Sequence, residues 1–168
     1  MTDDSPQDLL HQALQKHQAG DLTGAAPLYQ QVLKAVPRHP DALHLLGCLL
    51  HQAGKSTEGL HLVGAAIAFA PRHASFRASK ARILQRLERH AEADAAFRSA
   101  LLLDPSDTEA FRELAEARRA RGQVVAAAPL FRYLLSLSPA NPAILLTEAR
   151  SRIDLGQHDV ARHLLRKC

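Results

Sequence analysis

The sequence predicts an all-α protein, a solenoid of about five tandem helix–turn–helix units, the last one incomplete. Three observations predict it. Proline recurs every 34 residues at Pro37, Pro71, Pro105 and Pro139. Small residues share that period, at Ala13, Gly47, Ala81, Ala115 and Ala149 and again at Ala25, Gly59, Ala93, Ala127 and Ala161. Bulky residues follow a third comb at Tyr29, Val63, Phe97, Phe131 and Leu165, apart from the smaller valine. Small side chains suit places where helices cross closely and large ones fill the gaps between them, so each hairpin leans on the next to bury its apolar face.

The stretch Pro40–Pro71 is the clearest unit. Leu43, Leu46, Gly47 and Leu50 lie on one helical spacing, Gly54 breaks the helix, and Val63, Ala66 and Ile67 lie on a second. With the repeat phased from Pro6, small residues fall at positions eight and twenty, a bulky one at twenty-four and proline at thirty-two. That combination resembles the tetratricopeptide repeat, and the resemblance implies an all-α, right-handed superhelical solenoid. The match runs over repeats 6–39, 40–73, 74–107, 108–141 and 142–168, after a tail at 1–5, although Trp never occupies position four.

Composition agrees with helices packed through small contacts. Apolar residues make up 46% and charged residues 23%, as in globular chains, and only 4% are aromatic. The net charge of +4 is too mild, and aromatics too few, to argue for nucleic acid. The longest apolar run, 62–70, is too short to span a bilayer. Cys48 and Cys168 lie in different repeats and make no disulfide framework. The acidic opening lacks the basic and apolar regions of a signal peptide, so a cytoplasmic location is expected.

In chain order, Ser5-Pro6 caps a first helix expected over 6–18, and its outward His11, Gln12, Gln15 and Lys16 are the polar face of an end repeat. The second helix is expected over 23–36, and Pro27 in it, like Pro129 in the eighth, calls for a late start or a bend. In repeat three Glu88 replaces the turn glycine and Lys80 stands where the family has leucine, which predicts a less well packed helix over 74–87. Ser106-Asp107-Thr108-Glu109 has capping-box spacing. Asn141-Pro142 caps the ninth helix, on which Glu148 and Arg152 are spaced for a surface ion pair. The final helix offers Val160, Ala161, Leu164 and Leu165 as a stripe. Its uncovered part is expected to attract a second copy or a further repeat of a longer chain.

The resemblance implies that the first helix of each repeat lines a concave groove. Its positions here are His17, His44 and His51 in the first half and Arg82, Gln85, Arg86, Arg112, Glu116, Arg119 and Arg150 in the second. Guanidinium forks grip carboxylates, which points to an acidic peptide or protein partner. The competing reading is a solvated face neutralised by Glu113, Glu116 and Asp154. The Lys and Asn that hold a terminal carboxylate in chaperone-binding relatives, and the asparagine ladder of O-linked N-acetylglucosamine transferases, have no counterpart here. His17, His44, Cys48 and His51 include an i, i+4, i+7 set and are candidate zinc ligands, but the spacing is unspecific and no cofactor is expected.

No phosphate loop, nucleophile elbow or HExxH pair is present, so the chain is read as a non-catalytic interaction scaffold. The alternative is a substrate-recruiting arm, because Pro40–Gly54 and the preceding HQAGDL turn resemble the N-terminal repeat arrays of bacterial glycosyltransferases and sulfotransferases.

Overall fold

A computed structural model describes residues 5–167 and contains ten α-helices and no strand among them. They are α1 (Pro6–Gln18), α2 (Leu22–Ala35), α3 (Pro40–Gln52), α4 (Ser56–Phe69), α5 (Ala74–Arg86), α6 (His90–Leu103), α7 (Thr108–Ala120), α8 (Val124–Leu137), α9 (Pro142–Asp154) and α10 (His158–Leu165). The chain divides after Leu103 into two compact units. Cys168 lies outside the described residues.

The turns inside the hairpins are built alike. Each odd-numbered helix ends where the amide five residues along donates back to a late helical carbonyl, as Schellman ends do: Asp21 to Lys16, Lys55 to Leu50, Arg89 to Leu84, Gln123 to Arg118, Gln157 to Arg152. That closure needs a left-handed residue. Gly20, Gly54, Gly122 and Gly156 supply it in four turns, and Glu88 adopts it at φ 58° in the third.

In the first unit, α1 to α6 pack each against the next, and α3 also touches α1 and α5. One cluster joins Leu10 and Ala13 of α1, Tyr29 and Val32 of α2, and Leu46 and Leu49 of α3. Another joins Leu43, Ala66 and Phe76 across α3, α4 and α5. In the second unit, α7 to α10 pack likewise, around Ala115, Ala127, Phe131, Leu134 and Ile144.

Several local expectations need correction. Of the late start or bend expected at the two prolines, the late start does not occur: α2 and α8 begin at Leu22 and Val124 and run through Pro27 and Pro129. Both prolines sit on exposed faces, where water can satisfy the carbonyl that loses its partner. The helix carrying Lys80 still buries Phe76, Ala78, Ser79, Ala81, Ile83 and Leu84, so its looser packing is confined to the side that bears Arg77 and Lys80. The cap of α7 is Asp107, whose Oδ1 accepts from the Ala110 amide at 2.9 Å, while Ser106 bonds Asp104 and Glu109 turns to Arg112. The capping box forms instead at Ser5 and Asp8. Asn141 caps α9 as expected.

The Glu148–Arg152 pair is not on the surface. Glu148 keeps only 2% of its side chain exposed, and its Oε1 accepts from Arg152 Nε at 2.7 Å. Position seven of a repeat faces the packed interior, as buried Leu46 and Leu114 illustrate, so the carboxylate is carried inside with its guanidinium partner. Burial outweighs the pull of Arg152 and raises the Glu148 carboxyl above the usual range.

Candidate functional site: the inner-helix faces

The sequence-predicted groove residues all lie on odd-numbered helices, and many are tied across to a neighbouring helix of the same unit. His17 on α1 reaches Gln52 on α3, with Nε2 3.1 Å from Oε1, and its Nδ1 lies 3.3 Å from the Tyr29 hydroxyl. His44 on α3 reaches Ser79 on α5 at 2.9 Å. In the second unit Arg119 on α7 donates to Asp154 on α9 at 3.1 Å. Each partner is 35 residues away, one repeat plus one residue: positions twelve and thirteen pair His17 with Gln52 and Arg119 with Asp154, and positions five and six pair His44 with Ser79, each joining consecutive odd-numbered helices. Gln52, at groove position thirteen, stands opposite His17, while Ser79, at a position outside the groove list, stands opposite His44.

Histidine chemistry on α3 is set by burial. His44 stacks on Phe76 with centroids 4.3 Å apart, and His73 stacks on the same ring at 4.7 Å. Cut off from water, with Arg82 and His73 also disfavouring a second positive charge, His44 has its pKa pushed down to about 4 and is neutral at pH 7. Cys48 Sγ lies 3.4 Å from His44 Nε2, and burial raises its thiol pKa against the opposing influence of Ser79 and Arg82. A neutral imidazole beside a protonated thiol is a packed contact, not a poised nucleophile.

The zinc candidates are not brought together. His44 and Cys48 touch, but His51 Nδ1 bonds the Ser56 hydroxyl at 2.9 Å and His17 bonds Tyr29 and Gln52. Among the described residues no three of His, Cys, Asp and Glu gather where a metal ion could sit. Burial, then Arg86, lowers the pKa of His51 as well.

The arginines differ in how far they are already engaged. Arg112 is clasped on its own helix by Glu109 and by Glu116, whose Oε1 accepts at 2.7 Å. These hydrogen bonds hold its pKa above the ordinary value. Arg119 is held by Asp154. Arg82 is half-buried near His44 and Cys48, and Gln85 is half-buried beside it in the sequence. Arg86 and Arg150 are exposed. Glu109, Glu116 and Asp154 thus pair with the arginines of α7.

Comparison with known proteins follows this geometry. Tetratricopeptide repeat family models match residues 16–83 and 118–167, and a second such model matches 78–142. Cellulose synthase 2 operon protein C of Komagataeibacter xylinus is 31% identical over 161 residues, covering 90% of this chain, which spans only 12% of that much longer protein. Among solved structures, MamA of Desulfovibrio magneticus RS-1 superposes with a TM-score of 0.86 at 14% identity, covering 99% of this chain and 94% of that one. PilF of Pseudomonas aeruginosa gives 0.85 at 19%, covering 96% and 74%. YrrB, a TPR protein with an unusual peptide-binding site, gives 0.78 at 16%, covering 99% and 86%. None of the described helices is long and apolar enough to cross a membrane. With the 34-residue comb, the repeated helix ends and the matched family models in agreement, the chain belongs to the tetratricopeptide repeat family.

Proposed function

We propose that this protein is a non-catalytic scaffold that binds a peptide or protein segment, acidic in character, along the inner faces of its odd-numbered helices. The observation that carries the reading is the unequal engagement of the arginines: Arg86 and Arg150 stand exposed on those faces, while Arg112 and Arg119 are already matched by acids. Recognition of carboxylates therefore falls on Arg86 in the first unit and on Arg150 in the second, with Arg82, Gln85 and the rims of His17, His44 and His51 as polar surroundings. The cytoplasm is the expected setting.

Fluorescence anisotropy with a labelled poly-glutamate peptide, against a poly-lysine control, tests the reading. Arg82→Glu, Arg86→Glu and Arg150→Glu together are expected to weaken poly-glutamate binding at least about tenfold, the worth of one charge-assisted hydrogen bond. Arg119→Gln should matter less, because Arg119 is already engaged by Asp154. Undiminished binding by the triple variant, with helicity intact, would move the site elsewhere.

A second reading has its own support. The match to a cellulose synthase operon protein covers a small part of a long polypeptide. Repeats of this kind therefore also serve as segments of larger proteins, and this array fits the recruiting arm of a glycosyltransferase or sulfotransferase. An uninterrupted catalytic domain in the reading frame beyond Cys168 would favour that arm, and a stop codon there the separate scaffold. Self-association through exposed Val160 and Leu165 of α10 is a further proposal, to be checked by sedimentation over a range of concentrations.

A further inference from the structure

Repeat three departs from every other repeat at position four of its first helix, and from repeats two and four at position seven. Position four carries Leu9, Leu43, Phe111 and Leu145 in the other repeats but Arg77 here, and position seven carries Leu46 and Leu114 in repeats two and four but Lys80 here. Where two apolar side chains would fill the hairpin, a cavity of about 270 Å³ remains. It is walled by Ile67 of α4, Arg77, Lys80 and Leu84 of α5, and Glu92, Ala95, Ala96 and Ser99 of α6.

The polar groups in this cavity are only partly used. Arg77 is fixed as a strut, donating to Ser99 Oγ at 2.8 Å and to the Pro71 carbonyl at 2.7 Å, yet its Nε is buried without a hydrogen-bond partner. Glu92 lies at the rim with 57% of its side chain exposed. It is taken up by Arg89 in a two-pronged pair at 2.7 and 2.8 Å, which holds its carboxyl below the usual range. Lys80 acts on Glu92 through its field, but no hydrogen bond joins them. Two cations thus face a half-apolar space whose nearby carboxylate is already bound from outside. A buried unsatisfied donor costs free energy until an acceptor arrives.

We propose that this cavity binds a carboxylate carried on a short aliphatic stem, with Arg77 and Lys80 meeting the carboxylate and Ile67, Leu84, Ala95 and Ala96 the stem. The volume falls just under the ~300 Å³ at which drug-sized sites begin, so the ligand has a few heavy atoms and is no cofactor. Two sources share that chemistry: a free small carboxylic acid and the glutamate side chain of a bound protein.

Glutarate and a glutamate-rich peptide, each titrated at constant ionic strength into the whole chain while backbone amide resonances are followed, separate the two. The expected result is saturable shifts at Ala95, Ala96 and Ser99 with at least one of the probes. Glutarate alone would identify a small-molecule site, and the peptide alone a protein contact. Lys80→Leu, which restores the residue found at this place in repeats two and four, is expected to weaken binding about tenfold or more. Circular dichroism checks that it stays folded, and Lys80→Met, closer in length, repeats the measurement if it does not. The proposal is overturned if neither probe shifts these residues, if shifts appear only around Arg82 and Arg86, or if both Lys80 variants bind as the parent does.

Discussion

Gly47 and Gly59 face each other across the α3–α4 crossing so closely that a methyl group on Gly59 would sit 2.5 Å from the Gly47 carbonyl oxygen. A methyl on Gly47 would meet Val63 Cγ2 at 2.8 Å and the Gly59 carbonyl at 2.9 Å. The other four repeats carry alanine at both places, so repeat two brings its helices nearer than they do. Backbone cannot swing aside as a side chain can. Gly59→Ala is therefore expected to lose about 1–2 kcal/mol in urea denaturation, overpacking outweighing the ~1 kcal/mol that alanine gains in a helix. Gly64→Ala, on the same helix with nothing within 4 Å of the added carbon, is expected to gain roughly 0.5–1 kcal/mol.

Glu88 holds a left-handed conformation that glycine holds in the other four turns. An L side chain there costs roughly 1–2 kcal/mol, against a chain-entropy cost of ~0.5–1 kcal/mol for glycine. Glu88→Gly should raise stability by about 0.5–1 kcal/mol, seen as a higher denaturation midpoint with an unchanged slope. A fall in the midpoint would mean that the glutamate side chain holds the turn by some contact of its own.

His44 makes the first unit acid-sensitive. Its folded pKa of about 4 lies below the unfolded value of 6.5, so the unfolded chain takes up the proton first. The stability is fully present above pH 6.5 and is lost as pH falls from there through 4. At pH 5 the loss from this one group is ~2 kcal/mol. Urea midpoints at pH 7 and pH 5 measure it, and His44→Gln, which cannot titrate, should show a correspondingly smaller fall. An equal fall in both proteins would assign the acid sensitivity to other groups.

Glu148 works in the opposite sense in the second unit. Its carboxyl is raised in the fold, so between its unfolded and folded pKa values the native state binds more protons, and stability decreases as pH rises through that window. Relative to Glu148→Gln, the parent chain should gain stability as pH is lowered from neutrality. A difference between the two that does not vary with pH would show that Arg152 keeps the carboxylate fully ionised.

Much of this architecture was legible because a repeat states its own geometry several times. The helix bounds 6–18 and the caps Ser5 and Asn141 follow from local chemistry, a hydroxyl or amide before a proline, and local chemistry acts the same way in any surroundings. Ser106 misled because serine, aspartate and glutamate offer two overlapping caps within four residues, and only the path of the chain into α7 selects Asp107. Glu148 misled for a different reason. A charge at helical spacing looks solvated until the facing helix is in place.

What the sequence determined by itself is the period and, through it, the hairpins and their family, since a 34-residue rhythm of small, bulky and turn-making residues permits little else. Tertiary structure alone decided which polar side chains remain available to a partner. Hydrogen bonds such as His17 to Gln52 and Arg119 to Asp154 span 35 residues and exist only once neighbouring inner helices lie side by side. The same packing turned Arg77 and Lys80 from exceptions in a pattern into the walls of a cavity.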